Sequence, residues 1–218
     1  MEKEELLRRM EEAVKAYDDE EARRLAEEAV GMGLDPVEAL EEGLAKGLRE
    51  VGDRFGRGEA FITELIAAAQ AMEAGAEILN REIERRGAAR EALGRFLIGT
   101  VEGDIHSIGK NIVATMLKAA GFEVVDIGVD VPTEAFVEKV RELKPDILGL
   151  SALMTTTMVK QKEVVEALKT AGLRDQVKII IGGAPVTPDW AREIEADAVG
   201  LDAASAVEAA LRLIGAKR

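Results

Sequence analysis

The chain has 218 residues, 47% of them hydrophobic and 3% aromatic, so alanine, valine, leucine and isoleucine must form most of its core. Its formal net charge of −13 argues against nucleic-acid binding, which needs a basic face. The absence of cysteine excludes disulfides, thiolate metal sites and a cysteine nucleophile within the chain, and no apolar run reaches the roughly 18 residues of a membrane span.

The first part of the chain, residues 1–88, has the periodicity of helices throughout. Asp35 followed by Pro36 is typical of an N-cap residue and the first position of a helix. The breaks between the helical segments are short, and short connections join antiparallel neighbours. We therefore predict a four-helix bundle, with helices at 3–17, 19–31, 35–55 and 60–86.

The pattern changes after a linker predicted at 87–94. From residue 94 to residue 218, short apolar runs alternate with helical segments, which predicts a second domain of five βα units. Such units form a parallel sheet with helices on both faces, and we predict the flavodoxin-like (Rossmann-type) strand order 2-1-3-4-5. The predicted strands are 95–100, 123–127, 146–151, 177–182 and 197–200, and the predicted helices are 107–120, 132–143, 155–171, 188–195 and 203–214.

The loop after the first predicted strand holds His106, the only histidine of the chain. In an open parallel sheet this loop lies at the carboxyl edge, where α/β folds bind ligands. Asp104 can reach the imidazole from the same loop. A carboxylate on one ring nitrogen fixes the tautomer and leaves the other nitrogen free to bind a metal. Taken alone, Asp-x-His is a common pattern, and a surface or packing histidine is the competing interpretation.

Two further loops are predicted at the same edge. The third strand runs into Ser151-Ala152-Leu153, and the fourth runs into Gly182-Gly183. The serine hydroxyl can hydrogen-bond to a group in the cleft. Paired glycines let a bulky group approach the backbone closely, although they are equally typical of an ordinary tight turn.

Together the three loops resemble the signature of cobalamin-binding domains, Asp-x-His-x-x-Gly, Ser-x-Leu and Gly-Gly. Here the first element is Asp104-Ile105-His106-Ser107-Ile108-Gly109, followed by the serine and glycine elements named above. Residues 110–150 separate the first two elements and residues 154–181 the second two, and both spacings fit that family. Each element is weak alone, but the three together at strand ends are specific.

The helical region resembles the cap module of methyl-transferring corrinoid proteins, through residues 51–58, residues 61–65 and Ala71-Met72. Family members often have Leu-Pro where this chain has Ile62-Thr63, and many have aspartate at the position of Ser107. The end of the chain, residues 182–187 and 202–206, is most similar to corrinoid proteins of methylamine, methanol and methoxy-aromatic methyltransferase systems. The resemblance covers nearly the whole chain.

The resemblance implies a bound cobalamin (methylcobalamin or another corrinoid) whose own benzimidazole is displaced from the cobalt. His106 would be the lower axial cobalt ligand, Asp104 would hold its imidazole and help it take up a proton, and Ser151 would hydrogen-bond near the lower face. The cap residues Phe55 and Ile62 would shield the methyl group. The other implied cofactor-binding residues line the cleft for the nucleotide tail: Ser107, Ile108, Gly109, Leu153, Gly182 and Gly183.

The resemblance further implies a methyl carrier that is not an enzyme by itself. A substrate:corrinoid methyltransferase would load it, and a second methyltransferase would pass the methyl group to tetrahydrofolate or coenzyme M. A reductive activase is a further implied partner, whereas nucleic acid and membranes are not. The start of the chain, Met-Glu-Lys-Glu-Glu, is unlike a signal peptide, so we expect a cytoplasmic protein. The sequence leaves the methyl donor and acceptor open.

Three other interpretations compete with the carrier. A cobalamin-dependent regulator resembles the same pair of domains but carries a DNA-binding part, which this acidic chain has no spare residues to form. The small subunit of a coenzyme-B12 mutase usually lacks the helical cap. A flavodoxin-like domain that binds a flavin would leave His106 without a role.

Overall fold

The computed structural model describes residues 3–86 and 92–215, which form two compact units, one on each side of residues 87–91. Most of the predicted linker, 87–94, therefore lies outside the described residues, and the domain boundaries at 88 and 94 stay predictions. Within the described ranges, no helix combines the length and the apolar character needed to cross a membrane.

The first unit is wholly helical. The side chain of Asp18 caps the second helix by accepting from the Glu21 amide, and Asp35 caps the third by accepting from the Val37 amide, as the Asp35-Pro36 pair predicts. The helices are α1 (Lys3–Lys15), α2 (Asp19–Gly31), α3 (Pro36–Glu38), a π-helical segment (Ala39–Ala45), α4 (Lys46–Gly56) and α5 (Ile62–Arg86).

The predicted continuous helix at 35–55 is wrong in its interior, because the π-helical segment interrupts it. A π-turn adds a residue to the turn and shifts the backbone hydrogen bonds. The guanidinium of Arg49 donates to the backbone oxygen of Glu41 within this segment at 2.7 Å. Gly47 lies next to α1, where a Cβ would come within 2.6 Å of the Glu11 backbone oxygen. The start of α4 is therefore packed too closely against α1 for a larger residue at position 47.

The core of the first unit is aliphatic, as the low aromatic content predicts. Leucine, alanine, methionine and valine side chains fill the space between the helices. The burial of each larger side chain stabilises the fold by roughly 1.5–3 kcal/mol. The large side chains that are completely or almost completely buried are Leu6, Met10, Leu25, Leu40, Leu44, Leu48, Leu65 and Leu79.

The second unit alternates strand and helix. Its strands are β1 (Arg95–Thr100), β2 (Glu123–Asp126), β3 (Ile147–Ser151), β4 (Lys178–Gly182) and β5 (Ala198–Gly200). Its α-helices are α6 (Ile108–Ala119), α7 (Thr133–Leu143), α8 (Thr155–Thr170), α9 (Pro188–Glu193) and α10 (Ala203–Leu213), and a 3₁₀ turn spans Arg174–Gln176.

The sheet is parallel with the order β2-β1-β3-β4-β5, which confirms the predicted topology. Its register aligns the strand ends: Thr100 pairs with Ser151, Ser151 with Gly182, and Gly182 with Gly200. The loops that follow β1, β3 and β4 therefore leave the sheet at one level, which brings all three sequence motifs to the same edge.

Helices cover both faces of the sheet, α6 beside α10 and α7 beside α8. Side chains alternate between the faces along each strand. On the face of α7 and α8, strand residues such as Leu97 and Ile179 form a closed core with helix residues such as Phe136 and Leu168. On the face of α6 and α10 a cavity lies between the sheet and the helices.

Candidate functional site

His106 lies in the loop between β1 and α6. The chain leaves β1 at Thr100, turns through Gly103, whose φ of +78° is in the left-handed region, and enters α6 at Ile108. The buried hydroxyl of Thr100 donates to the backbone oxygen of His106 at 3.0 Å. This bond fixes the loop just before the helix begins.

The carboxylate of Asp104 holds the imidazole. Nδ1 of His106 lies 2.7 Å from Oδ1 of Asp104, and the backbone amide of His106 donates to the same oxygen at 3.0 Å. The other oxygen, Oδ2, accepts from the Leu153 amide and from the Thr157 hydroxyl, each at 2.7 Å. Asp104 is completely buried. Four hydrogen bonds thus orient one carboxylate, and through it the ring.

These bonds also decide the charge of Asp104. Burial works to raise the pKa of its carboxyl, but the hydrogen bonds from His106, Thr157 and Leu153 outweigh burial and hold that pKa well below its usual range. The carboxylate is therefore ionised at physiological pH. An ionised carboxylate accepts Nδ1–H, which leaves the lone pair on Nε2 of His106.

The loop after β2 holds the backbone around Asp104 in place through two hydrogen bonds. Asp130 accepts from the Gly103 amide at 2.7 Å through Oδ1, and its own amide donates to the Asp104 backbone oxygen at 2.8 Å. Asp130 has a φ of +51°, a conformation that aspartate tolerates better than most residues. The strained turn at Asp130 therefore supports the residue that holds the histidine.

The imidazole is open on its other side, since 48% of the His106 side chain is exposed. In residues 3–86 and 92–215, no three side chains of histidine, cysteine, aspartate or glutamate come together as a metal site. A metal held by protein alone normally takes three or four such ligands.

A cavity of about 720 Å³ opens beside His106. It passes the three motif loops and continues between the sheet and helices α6 and α10, where apolar and small residues line it. The deep part is formed by Phe96, Ile98, Val113, Gly149, Ile180, Gly200 and Ala206. This volume lies in the usual range for cofactor sites.

The mouth of the cavity carries exposed aliphatic side chains. Ile105, Ile108 and Leu201 are each at least 65% exposed, and Leu153 is 44% exposed. A group of exposed large apolar residues around a cavity is typical of a ligand-binding surface. The volume and this apolar rim leave room for a large cofactor such as the cobalamin that the sequence motifs imply.

Gly183 shows why a glycine is needed in the third motif. Its φ is +129°, and a Cβ on it would lie 1.7 Å from the backbone oxygen of Ala152. Residues 151–153 and 182–183 are therefore in direct backbone contact, and no side chain fits between them.

The predicted site residues of the second unit lie together. His106, Ser107, Ile108, Gly109, Ser151, Leu153, Gly182 and Gly183 all line the cavity, and Asp104 lies behind the imidazole. Phe55 and Ile62 belong to the first unit, where Phe55 is near the end of α4, Ile62 begins α5, and both are partly buried. Their role toward cobalamin stays a prediction.

Sequence reasoning missed several residues of this region. Thr157 was not identified, although three consecutive threonines at the start of α8 are unusual for a helix and could have drawn attention. Gln161, one turn later, is also buried and hydrogen-bonded beneath the second and third loops. The deep lining residues gave no signal, because they have the composition of an ordinary core.

Two parts of the chain match family models, each described as a B12 binding domain, at residues 94–212 and residues 6–80. The first of these alone covers more than half of the chain. The chain belongs to the B12-binding family of corrinoid proteins. Its cofactor is cobalamin or a related corrinoid.

Relatives and solved structures of this family match the chain over most of its length. It is 53% identical to the trimethylamine corrinoid protein of Methanosarcina barkeri, over 97% of this chain and 99% of that protein. It is 48% identical to the dimethylamine corrinoid protein of the same organism, over 98% and 100% respectively. Both of these relatives are corrinoid proteins, in agreement with the carrier interpretation rather than the regulator.

A crystal structure of the methanol:cobalamin methyltransferase complex MtaBC from Methanosarcina barkeri contains a similar fold. It matches 99% of this chain and 82% of the solved chain, with a TM-score of 0.89 and 32% sequence identity. The architecture of this B12-binding chain is thus one that occurs in a methyltransferase assembly.

Proposed function

We propose that this protein carries methyl groups on cobalamin for a methylamine methyltransferase system, with His106 as the lower axial ligand of the cobalt. The observation that carries the proposal is the 2.7 Å contact between Nδ1 of the chain's only histidine and buried Asp104, beside a cavity that fits the cofactor. Bound cobalamin supplies the cobalt centre that accepts a methyl group and gives it away.

The residues around the imidazole support this role. Ionised Asp104 keeps a proton on Nδ1, so that Nε2 presents its lone pair toward the open side. Carboxylate–histidine pairs of this kind raise the basicity of a metal-binding nitrogen and fix its ring. His106 would thereby take the axial position in place of the cofactor's own benzimidazole.

The cavity supports the binding of the displaced nucleotide tail. Between the sheet and the helices its lining includes Gly149, Gly200 and Ala206, which carry no side chain or only a methyl group, and the ring of Phe96. We assign Ser107, Ile108, Gly109, Ser151, Leu153, Gly182 and Gly183 to the contacts at its entrance. Apolar walls of this kind exclude water from the bound group.

The donor class follows from the relatives. The proteins at 53% and 48% identity are named for trimethylamine and dimethylamine, and we propose a methylated amine as the source of the methyl group. The partners are then an amine:corrinoid methyltransferase and a second methyltransferase that acts on tetrahydrofolate or coenzyme M. Because these acceptors are cytoplasmic cofactors, we also propose a cytoplasmic location.

The ligand assignment is tested by the absorption spectrum of the reconstituted protein. Wild type with cobalamin should give the spectrum of histidine-ligated cobalt. His106→Ala should lose it, because no other imidazole exists in the chain. Val159→Ala is the control, since Val159 is an exposed aliphatic residue outside the cavity lining and has no ligand atom. A histidine-ligated spectrum in His106→Ala would refute the proposal.

The donor class is tested separately. The holoprotein, with its cobalt brought to Co(I) by an added chemical reductant, is incubated with candidate methyltransferases and with trimethylamine, dimethylamine, monomethylamine or methanol, and methylation of the cobalt is followed by absorption. We expect methylation with one of the amines. Methylation with methanol alone would leave the carrier role intact but exclude the proposed donor class.

A further inference from the structure

Gln161 is a completely buried polar side chain on α8, and its amide reaches two strands. Nε2 donates to the backbone oxygen of Leu150 in β3 at 3.0 Å and to that of Gly182 in β4 at 3.1 Å. Both carbonyl groups lie at the carboxyl ends of their strands, where residues 151–153 and 182–183 begin. One nitrogen thus joins the two backbones that form the second and third loops of the site.

The orientation of this amide is fixed by its partners. Oε1 of Gln161 accepts from the indole nitrogen of Trp190 at 3.1 Å. The indole can only donate and the two carbonyl groups can only accept, so the oxygen must face Trp190 and the nitrogen must face the strands. Every hydrogen-bonding group of the amide therefore has a partner, as a buried polar side chain requires.

The same helix also binds the first loop. Thr157 lies one turn before Gln161 on α8, and its hydroxyl donates to Asp104 at 2.7 Å. Residues four apart lie on one helix face. Thus one face of α8 holds the carboxylate that orients His106 and, through Gln161, the ends of β3 and β4.

The spacing between the second and third loops is narrow. The backbones of Ala152 and Gly183 are in contact, and the Ala152 amide donates to the Gly182 oxygen at 3.0 Å. The cavity passes Ser151 and Leu153 on one side and Gly182 and Gly183 on the other. A small change in the relative position of these strand ends would change the entrance of the cavity.

We propose that Gln161 is a positioning residue, which sets the spacing of residues 151–153 and 182–183 and thereby the affinity for the cofactor. This inference rests on the proposed function, because it concerns the same cavity. Without the amide donors, both carbonyl groups lose a buried partner and the strand ends rearrange. The binding-competent arrangement is then only partly populated, and the apparent affinity falls by that fraction.

The test compares three substitutions in the full-length apoprotein, with the Kd for cobalamin measured by titration. Gln161→Met keeps the length of the side chain but removes all its hydrogen bonds. Gln161→Glu keeps an acceptor for Trp190 and replaces the two N–H donors by at most one O–H, so at least one of the bonds to Leu150 and Gly182 is lost. Trp190→Phe removes the indole donor but leaves both bonds to the strands. Gln161→Glu also serves as the second variant where Gln161→Met folds poorly.

Val165→Ala is the matched stability control. Val165 lies one turn after Gln161 on the same face of α8 and is completely buried, yet it belongs to the apolar core rather than to the cavity lining. Its truncation lowers stability by leaving a cavity. Chemical denaturation gives the free energy of unfolding of each variant, so that a loss of affinity can be compared with a loss of stability.

We expect Gln161→Met and Gln161→Glu to raise the Kd for cobalamin by about tenfold or more, because both variants lose buried hydrogen bonds to the strand ends. Trp190→Phe and Val165→Ala should stay within about threefold of wild type, because they leave the bonds to the strands intact. The inference is overturned when both Gln161 variants bind like wild type, or when either control loses as much affinity as they do.

These outcomes are distinguishable from a failure of the proposed function. A wild-type protein that binds no cobalamin, or a His106→Ala variant with a wild-type spectrum, removes the proposed function itself. Wild-type affinity in the Gln161 variants removes only the positioning role of Gln161.

Discussion

Thr157 donates its hydroxyl to Oδ2 of Asp104 at 2.7 Å and thereby connects α8 to the histidine loop across 53 positions of sequence. Thr157 is buried, and Asp104 has no access to solvent. The hydroxyl therefore gives Oδ2 of Asp104 a buried donor, whereas Oδ1 faces the imidazole. This bond helps keep Asp104 ionised and in position to hold Nδ1 of His106.

We predict that Thr157→Val weakens the binding of histidine-ligated cobalamin. Valine has nearly the same shape but no hydroxyl, so one oxygen of a buried carboxylate loses a donor. The loss of a partner behind a metal-binding histidine typically reduces affinity or activity by about 10–100-fold. The affinity is measured by cobalamin titration, and the ligation state by the absorption spectrum.

Thr157→Ser is the control for this variant, because serine keeps the hydroxyl and should restore most of the affinity. Equal spectra and equal affinities for wild type and Thr157→Val would show that the hydroxyl does not support the imidazole.

The overall topology could be predicted because it follows from local patterns. Short apolar runs alternate with amphipathic helices, and parallel connections leave few possible strand orders. The position of His106 at the carboxyl edge follows from the same pattern, and its pairing with Asp104 follows from a separation of two residues. These features need no knowledge of distant contacts.

The remaining features depend on distant contacts or on packing. Thr157 contacts Asp104 from a different βα unit, and Gln161 contacts two strands and Trp190, so neither contact can be read from neighbouring residues. The π-helical segment has no clear local signal, because its residues are mostly good helix formers. The deep cavity resembles core in sequence because its lining is apolar.

We predict that Gly183→Ala severely destabilises the second unit. Its φ of +129° is unfavourable for any residue with a Cβ, and the added carbon would lie 1.7 Å from the Ala152 oxygen. Backbone must therefore move in the loop that contacts residues 151–153. The free energy of unfolding is measured by chemical denaturation, and the variant should be less stable by several kcal/mol or fail to fold.

Gly109→Ala provides the matched control. Gly109 lies in the first turn of α6, and a Cβ there meets no atom within 4 Å. Alanine also has the higher helix propensity, so this variant should be at least as stable as wild type. Stability of Gly183→Ala equal to that of Gly109→Ala would contradict the packing described at residue 183.

The segment from residue 92 to residue 218, expressed alone, should fold and bind cobalamin. The residues that line the cavity lie between Phe96 and Ala206, so the cavity that we propose for the nucleotide tail belongs to this unit. Its parallel sheet also has a core of its own. Folding is checked by circular dichroism, and binding by titration followed by absorption.

The affinity of this fragment is compared with that of its own His106→Ala variant. We expect a histidine-ligated spectrum for the fragment and its loss in the variant. A fragment that folds but does not bind cobalamin would mean that residues 1–91 supply an essential part of the primary binding site.

The last prediction concerns the acid stability of the helical unit. Glu82, almost completely buried on α5, accepts from Arg85 and Arg86 at 2.6 Å. The hydrogen bonds from Arg85, which has the larger effect, and from Arg86 lower the pKa of Glu82 to about 2. A carboxyl whose pKa is depressed in the folded state stabilises the protein above its unfolded pKa, and this contribution is lost as the pH falls toward the folded value.

Wild type should therefore have a higher Tm than Glu82→Gln near neutral pH, and the difference should shrink as the pH falls from about 4.5 to about 2. Thermal unfolding is followed by circular dichroism over this range. Glu5→Gln is the control, because the pair of Glu5 with Arg8 is exposed and such pairs contribute little. The same Tm difference at every pH would show that Glu82 stabilises the unit through packing alone, since a purely steric contribution does not change with protonation.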